Sequence, residues 1–286
     1  MDIIIRPSHK SDYNQMLEVE LAATPGLSYL PNVFDMFLHD TTGCFLTAEV
    51  EGNVVGCGKF SMMMDGSAWL ETLRVLPKFQ GRGIGKAFYD EFLKLAMLKN
   101  ISHLRMYTGL NNTVSKGLAE KYGFQLVGTF KTAVSPVMPY LNPLETNTIH
   151  PVNNHYEASP IIDDYREAWG NIIGLNRTFF ALNKSSTQEL IKYKWLYASS
   201  NRQNSAILGS RFMPEKALYI LAYHGDPKTI LGFAMQKAIE VKTQKLICHF
   251  PASSARIYDD LSANKMQIEP SEIIVMEREQ NSPAIS

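Results

Sequence analysis

Short apolar runs with strand-like alternation punctuate the chain, separated by longer stretches whose apolar residues recur at helical spacing. In the first half, Ile3–Ile5 predicts a short strand. Ser11–Ala22 predicts a helix capped by Ser11 or Asp12 and broken at Pro25-Gly26, and Asn32–His39 predicts a second, shorter helix. Cys44–Val50 and Val54–Met62 read as the arms of a hairpin joined across Glu51-Gly52-Asn53. Ala68–Val75 predicts another strand. Gly83–Leu98 predicts an amphipathic helix with Phe88, Phe92, Leu95 and Ala96 on one stripe. His103–Thr108 (strand), Gly109–Asn111 (loop) and Asn112–Lys121 (helix) follow, then a strand after Gly123-Phe124 and a last one near Thr132–Val137. The predicted order is β-α-α-β-β-β-α-β-α-β-β.

Residues 139–160 hold Pro139, Pro143, Pro151 and Pro160 among many Asn and Thr, the composition of a surface linker. Beyond it, helices are expected at Ile161–Ile173 and Ser186–Ala198. Strands are expected at Ala206–Phe212, Ala217–Tyr223, Thr229–Ile239, Leu246–Phe250 and Glu272–Met276. The chain therefore divides into a domain over 1–138, a linker over 139–160, a second α/β domain over 161–279 and a tail over 280–286. The second domain echoes the first: Leu221–Gly225 with Leu231-Gly232 resembles the hairpin around Gly52, and Leu246–Ile268 resembles Leu104–Leu126. Chance likeness between hairpins and strand-helix-strand units explains the echo as well as a repeat does.

The most informative segment is Leu70–Lys86, in which a strand meets Pro77, then Gln80-Gly81-Arg82-Gly83-Ile84-Gly85-Lys86, then a helix. Alternate glycines let a backbone turn tightly and approach a ligand, and the N–H groups at a helix start favour an anion. Three phosphate motifs compete. A P-loop fails because Ala87 follows Gly85-Lys86 and Gln80 stands where the first glycine belongs. A dinucleotide fingerprint is a weak match because Lys86 replaces the third glycine and no carboxylate ends the next strand near Tyr107-Thr108. The third pattern, Gln/Arg-x-x-Gly-x-Gly/Ala, is met by Gln80, Gly83 and Gly85.

That pattern, on these flanks, resembles the acyl-CoA pyrophosphate loop of the GNAT acyltransferases. Asn112, Ser115, Leu118, Gly123 and Phe124 match a second block of the same family, and the likeness covers residues 2–138. It implies the GNAT fold, an α/β (α+β) arrangement with a mixed, mostly antiparallel central sheet flanked by helices, beside a C-terminal α/β domain that is read as a degenerate GNAT-like half. It also implies acetyl-CoA as co-substrate. The backbone of Leu73, Arg74 and Val75 would pair with the pantetheine arm. The loop Gln80, Gly81, Arg82, Gly83, Ile84, Gly85 and Lys86 would hold the pyrophosphate, with Asn112 and Ser115 beside the thioester. One position departs: Ala119 stands where the family carries a tyrosine that reprotonates the leaving thiolate. Tyr107, Tyr122 or water remain for that task.

Direct transfer needs a neutral amine, and free amines with pKa near about 8–10 are mostly protonated at neutral pH. Glu71 is the expected base; alternation along the strand would set it on one face with Leu73 and Val75. A purely structural glutamate is the competing reading. Tyr29-Leu30-Pro31 and Trp69–Val75 are similar to the histidine N-acetyltransferase branch, which implies Tyr29 and Trp69 at the acceptor and a free amino acid as one acceptor.

Composition narrows the rest. The chain has 286 residues and zero formal net charge, with no basic block, which argues against nucleic-acid binding. Cys44, Cys57 and Cys248 form no disulfide framework, and no metal-ligand spacing occurs. No apolar run is long enough to span a membrane, and a cytoplasmic protein is expected. The expected activity is acetyl transfer to a small primary amine. The alternative is a non-catalytic CoA-binding sensor or interaction protein. The C-terminal part would close the acceptor side or form a homodimer surface.

Overall fold

The structure is a computed structural model that describes residues 1–26, 29–138 and 149–280. The first half contains β1 (Ile4–Pro7), α1 (Tyr13–Ala23), α2 (Leu30–Leu38), β2 (Cys44–Val50), β3 (Asn53–Met62), β4 (Ala68–Val75), α3 (Ile84–Leu98), β5 (His103–Gly109), α4 (Thr113–Lys121) and β6 (Gln125–Pro136). The second contains β7 (Ile149–Pro151), α5 (His155–Trp169), β8 (Ile172–Leu175), β9 (Thr178–Ala181), α6 (Lys184–Lys192), β10 (Leu196–Ser199), β11 (Ser205–Gly209), β12 (Ala217–His224), α7 (Pro227–Glu240), β13 (Lys245–Pro251), α8 (Ala255–Ala263), β14 (Gln267–Ile268) and β15 (Ile273–Glu279). Strands and helices alternate as a mixed, largely antiparallel α/β fold requires.

Two compact units emerge, and one cut near residue 138 does not separate them. The first comprises Met1–Met106, Asn112–Gln125 and the chain from Met276; the second comprises Tyr107–Asn111 and Leu126–Val275. Strand pairing is the reason. The first unit orders its strands β1-β2-β3-β4-β5-β15, so its last strand comes from the C-terminal end. The second runs β6-β13-β12-β11-β10-β7, with Lys245–Pro251 pairing antiparallel to Phe130–Pro136 of β6.

In the first unit the sheet is covered on both faces. Ile84, Phe88, Tyr89, Phe92 and Ala96 form the buried stripe of α3. Gly58 lets the Phe88 and Phe92 rings approach β3, since a Cβ there would lie 3.1 and 3.0 Å from them. Met16 and Val19 of α1 with Leu30, Val33, Phe34 and Phe37 of α2 are buried on the other helical layer. Tyr13, Phe34, Phe37 and Phe45 meet there edge to face.

Several expectations change in the second half. The apolar stretch Thr229–Ile239 is helix α7, not a strand. Pro227 sits in its first turn, Asp226 caps it, and its apolar residues are buried nearly all round, a pattern that does not separate helix from strand by periodicity. The supposed hairpin echo therefore fails, because Leu231-Gly232 is helical. The expected helix Ser186–Ala198 stops at Lys192 and gives way to β10. Of the expected linker, residues 149–160 form β7 and the start of α5, while 139–148 lie outside the described residues. One continuous strand, β6, replaces the two expected between Phe124 and Val137.

The second echo holds element by element. β5 spans His103–Gly109 and β13 Lys245–Pro251; α4 spans Thr113–Lys121 and α8 Ala255–Ala263; every bound is displaced by 142 residues. β12 pairs in parallel with β13 as β4 does with β5. Each half thus has the order β-α-α-β-β-β-α-β-α, the second with the hairpin β8–β9 added between its first two helices.

Candidate active site

The site begins at a defect in β4. Thr72 has φ +60° in the middle of the strand, an unfavourable conformation for a β-branched residue, costing about 1–3 kcal/mol. It inserts one extra residue against β3: Glu71 stands opposite Lys59, and Arg74, three positions on, stands opposite Cys57. The side-chain alternation shifts there. Glu71 shares its face with Arg74, Lys59, Ser61 and Trp69, whereas Leu73 and Val75 turn to the α3 side with Gly56 and Gly58. The expectation that Glu71 lies beside Leu73 and Val75 is corrected by this bulge.

The face that carries Glu71 is rich in buried charge. Glu71 itself is 9 % exposed, and the Ser61 hydroxyl donates to its Oε1 at 2.5 Å. Arg74 pairs with Glu20 of α1, which is fully buried and also accepts the amides of Tyr29 and Leu30, capping α2. The Tyr29 ring lies under the Arg74 guanidinium at 5.2 Å, and its hydroxyl meets Thr72 Oγ1 at 2.5 Å. Thus Tyr29, just ahead of α2, is fastened to the bulge, one residue from Glu71. Lys59 pairs with Asp40 and donates to the Phe60 carbonyl at 3.1 Å. Burial raises the Asp40 carboxyl, but Lys59 and Thr42 outweigh it and hold it down at about 2. Trp69 is fully buried, so it supports this face from the core rather than offering a surface to an acceptor.

On the far side of the bulge the strand opens. The parallel pairing of β4 with β5 comprises Ala68–Leu104 and Trp69–Arg105, at the start of both strands. Gln80 then folds back and donates its amide to the Val75 carbonyl at 3.0 Å, tying the loop to the end of β4. Gly81 and Gly83 have φ +72° and +92°, the left-handed region where glycine is favoured. Gly85 does not. A Cβ there would lie 3.0 Å from Leu118 Cδ2, so Gly85 permits α3 to pack on α4. Gly83 is the N-cap of α3, and no side chain caps that helix; the first helical bond runs from Ala87 N to Gly83 O, leaving the amides of Gly83, Ile84, Gly85 and Lys86 ahead of it. The five helices that follow are each capped by their own Asn112, Asn154, Asn183, Asp226 or Ser254. The start of α3 thus has the free amides and helix-start dipole that suit an anion. Arg82 and Lys78 flank Phe79 at 5.6 and 5.4 Å from its ring, adding positive charge beside those amides.

The remaining expected residues separate. Asn112 accepts the Ser115 amide at 3.1 Å, so both serve the start of α4 in the first unit. The Tyr122 hydroxyl donates to the Lys86 carbonyl and Asp90 of α3 at 3.0 and 2.9 Å; burial and Asp90 push its pKa up to about 12, which fits a structural role. Tyr107 is half-buried and belongs to the second unit. Ala119 is fully buried in α4, so a tyrosine at that position would have no room. Cys57 is fully buried and burial raises its thiol to about 12, unfit for a nucleophile. Sequence reading missed Glu20, Ser61, Asp40 and the bulge. Glu20 alone left a signal, a carboxylate on the buried stripe four residues after Met16.

Comparison with known proteins agrees with this geometry. Residues 12–124 match the acetyltransferase (GNAT) family. Over those residues the chain is similar to a GNAT acetyltransferase domain. It is 31% identical over 121 residues to an N-acetylaspartate synthetase of Danio rerio; that match covers 42% of this chain and 43% of the relative, less than half of its length. Among solved structures, a GCN5-related N-acetyltransferase from Sphaerobacter thermophilus superposes with a TM-score of 0.61 at 13% identity, over 97% of this chain and 95% of that one. A tandem GNAT protein from the clavulanic acid biosynthesis pathway gives 0.58 at 12% identity, over 99% of this chain and 100% of that one. At such identities these two show the fold.

Within the GNAT fold, the second unit differs where the first holds its loop. Between β4 and α3 lie residues 76–83; between β12 and α7 lie only Gly225 and Asp226. The Asp226 carboxylate accepts both the Thr229 amide at 2.8 Å and its hydroxyl at 2.6 Å, putting a fixed negative charge where the first unit leaves open amides. On the opposite face, Gly174 of the added hairpin packs against His249, the counterpart of Tyr107, with room for no Cβ. Burial holds that imidazole neutral, its pKa at about 3.

Proposed function

We propose that this chain transfers the acetyl group of acetyl-CoA directly to the α-amino group of a small amino acid, with Glu71 as base. The observation that carries the proposal is the juxtaposition on one strand: uncapped α3 amides follow β4, and a buried carboxylate precedes its bulge. The amides of Gly83 to Lys86 and the positive residues around Phe79 suit a pyrophosphate. The opened backbone of Leu73 and Arg74 suits an extended amide-bearing arm, while Val75 has its carbonyl engaged by Gln80. Glu71, alone or through a water, takes the proton that the ammonium must lose before attack. The relative's name, N-acetylaspartate synthetase, and the likeness of Tyr29–Pro31 to the histidine branch agree on a free amino acid. GNAT acyltransferases use acetyl-CoA as the donor, and the fit of the loop supports it here.

Thiol release from acetyl-CoA, measured over a panel of amino acids, amines and peptides, tests this. Aspartate or histidine should give turnover, and Glu71→Gln should lower kcat about 100-fold, within the range for a general base. Binding of acetyl-CoA with no turnover on any amine would overturn the transfer reaction and leave a CoA sensor.

A further inference from the structure

Glu71 is the last residue of regular β4 before the Thr72 bulge, so the direction of its side chain is set mainly by β3. The charged groups that face it are Lys59 from β3, Arg74 from β4, Glu20 from α1 and Asp40 from the segment after α2. Lys59 pairs with Asp40 and Arg74 with Glu20. Ser61 contributes something different. It lies opposite Trp69, diagonal to Glu71 on the same face, is 1 % exposed, and its hydroxyl donates to Oε1 at 2.5 Å. A serine buried this deeply on a strand must satisfy its hydroxyl, and the partner it uses is the carboxylate beside the bulge. A short hydrogen bond to a carboxylate fixes orientation as well as energy.

We propose that Ser61 is the positioning residue of the transfer reaction, holding the Glu71 carboxylate by one oxygen so that the carboxylate is presented toward the acceptor amine. The inference rests on Glu71 being the base. It predicts that Ser61 matters only while that carboxylate is present. It also predicts that Ser61 acts on turnover rather than on donor binding, because the amides that hold acetyl-CoA lie at the other end of β4.

The experiment is a double-mutant cycle on the full chain with acetyl-CoA and the best amino acid of the panel. Ser61→Ala should lower kcat roughly ten- to a hundredfold, the size of a hydrogen bond to a charged group, with KM for acetyl-CoA unchanged. Ser61→Thr, which keeps the hydroxyl, should restore most of the loss. Ser61→Ala added to Glu71→Gln should cost nothing further. Equal losses in both backgrounds, or no rescue by Thr, would overturn the positioning role while leaving Glu71 as base. Full turnover in Glu71→Gln would instead overturn the base, and the proposal with it. Should Ser61→Ala not fold, Ser61→Cys, which keeps the volume but donates weakly, is put through the same cycle and read by the same outcomes.

Discussion

The loop glycines serve different physical ends, which gives the sharpest test of the site. Gly83 has φ +92° and ψ −6°, and a Cβ built on it meets only Ile3 Cδ1, at 3.8 Å. Space is therefore available and the cost of Gly83→Ala is conformational, about 1–2 kcal/mol for a left-handed residue. Against a total stability of about 5–15 kcal/mol the domain survives, melting a few degrees lower. To avoid the strain the backbone rotates at the N-cap, which re-aims the amides of Gly83 to Lys86. Gly85→Ala acts otherwise. Its conformation is ordinary for any residue, but the added Cβ lies 3.0 Å from Leu118 Cδ2, so overpacking between α3 and α4 costs about 1–3 kcal/mol. Shortening the neighbour by Leu118→Val removes the contact. Calorimetric titration with acetyl-CoA and thermal melts of Gly83→Ala, Gly85→Ala and each combined with Leu118→Val separate the two. Gly83→Ala should weaken acetyl-CoA binding at least about tenfold and not respond to Leu118→Val, whereas that change should restore much of the stability of Gly85→Ala. Undiminished acetyl-CoA binding by Gly83→Ala, or equal rescue of both by Leu118→Val, would refute the assignment.

Ending the chain at residue 138 removes the residues from Met276 that belong to the first unit. It leaves Arg105, 4 % exposed, without Glu277, which it meets at 2.5 Å. Arg105 keeps Asp65 at 2.6 Å but loses one carboxylate of a buried cluster, and removal of β15 bares the β5 edge, so the truncated chain should aggregate; a cooperative melt with acetyl-CoA binding would argue otherwise. Asp226→Ala should cost about 1 kcal/mol as a lost helix cap yet open no second donor site, because only two residues join β12 to α7; titration should give one acetyl-CoA per chain for wild type and variant, and two per chain would contradict it. The Asp40 carboxyl is held at about 2 in the folded protein, with Lys59 and Thr42 outweighing burial. Its contribution is thus present above the ordinary carboxylate range and lost as pH falls toward 2. Between pH 5 and pH 2 the melting temperature of the wild type should fall further than that of Asp40→Asn, and parallel curves would dismiss the pair as a source of acid lability.

The sequence alone marked the glycine loop before α3. Gln80, Gly83 and Gly85 are spaced for a strand-to-helix anion turn, and positive φ, helix-start amides and glycine are linked within a few residues, so no distant contact is needed to read them. The same locality made β1 to α4 legible, and the displacement of 142 residues between β5-α4 and β13-α8. Tertiary structure decided the rest of the site. Alternation on β4 is a local rule, but the bulge at Thr72 is held by Tyr29, 43 residues away, and it is the bulge that sends Arg74 to Glu20, while the register with β3 sets Glu71 against Ser61. Thr229–Ile239 misled because its consecutive residues Ile230 to Met235 are all buried, and a continuous apolar run does not separate helix from strand by periodicity. The closing strand of the first unit lies beyond any local reading as well. Which strand pairs with β5 is settled by hydrogen bonding and by the Arg105–Glu277 pair across 172 residues, a choice among edges that exists only once both halves are folded.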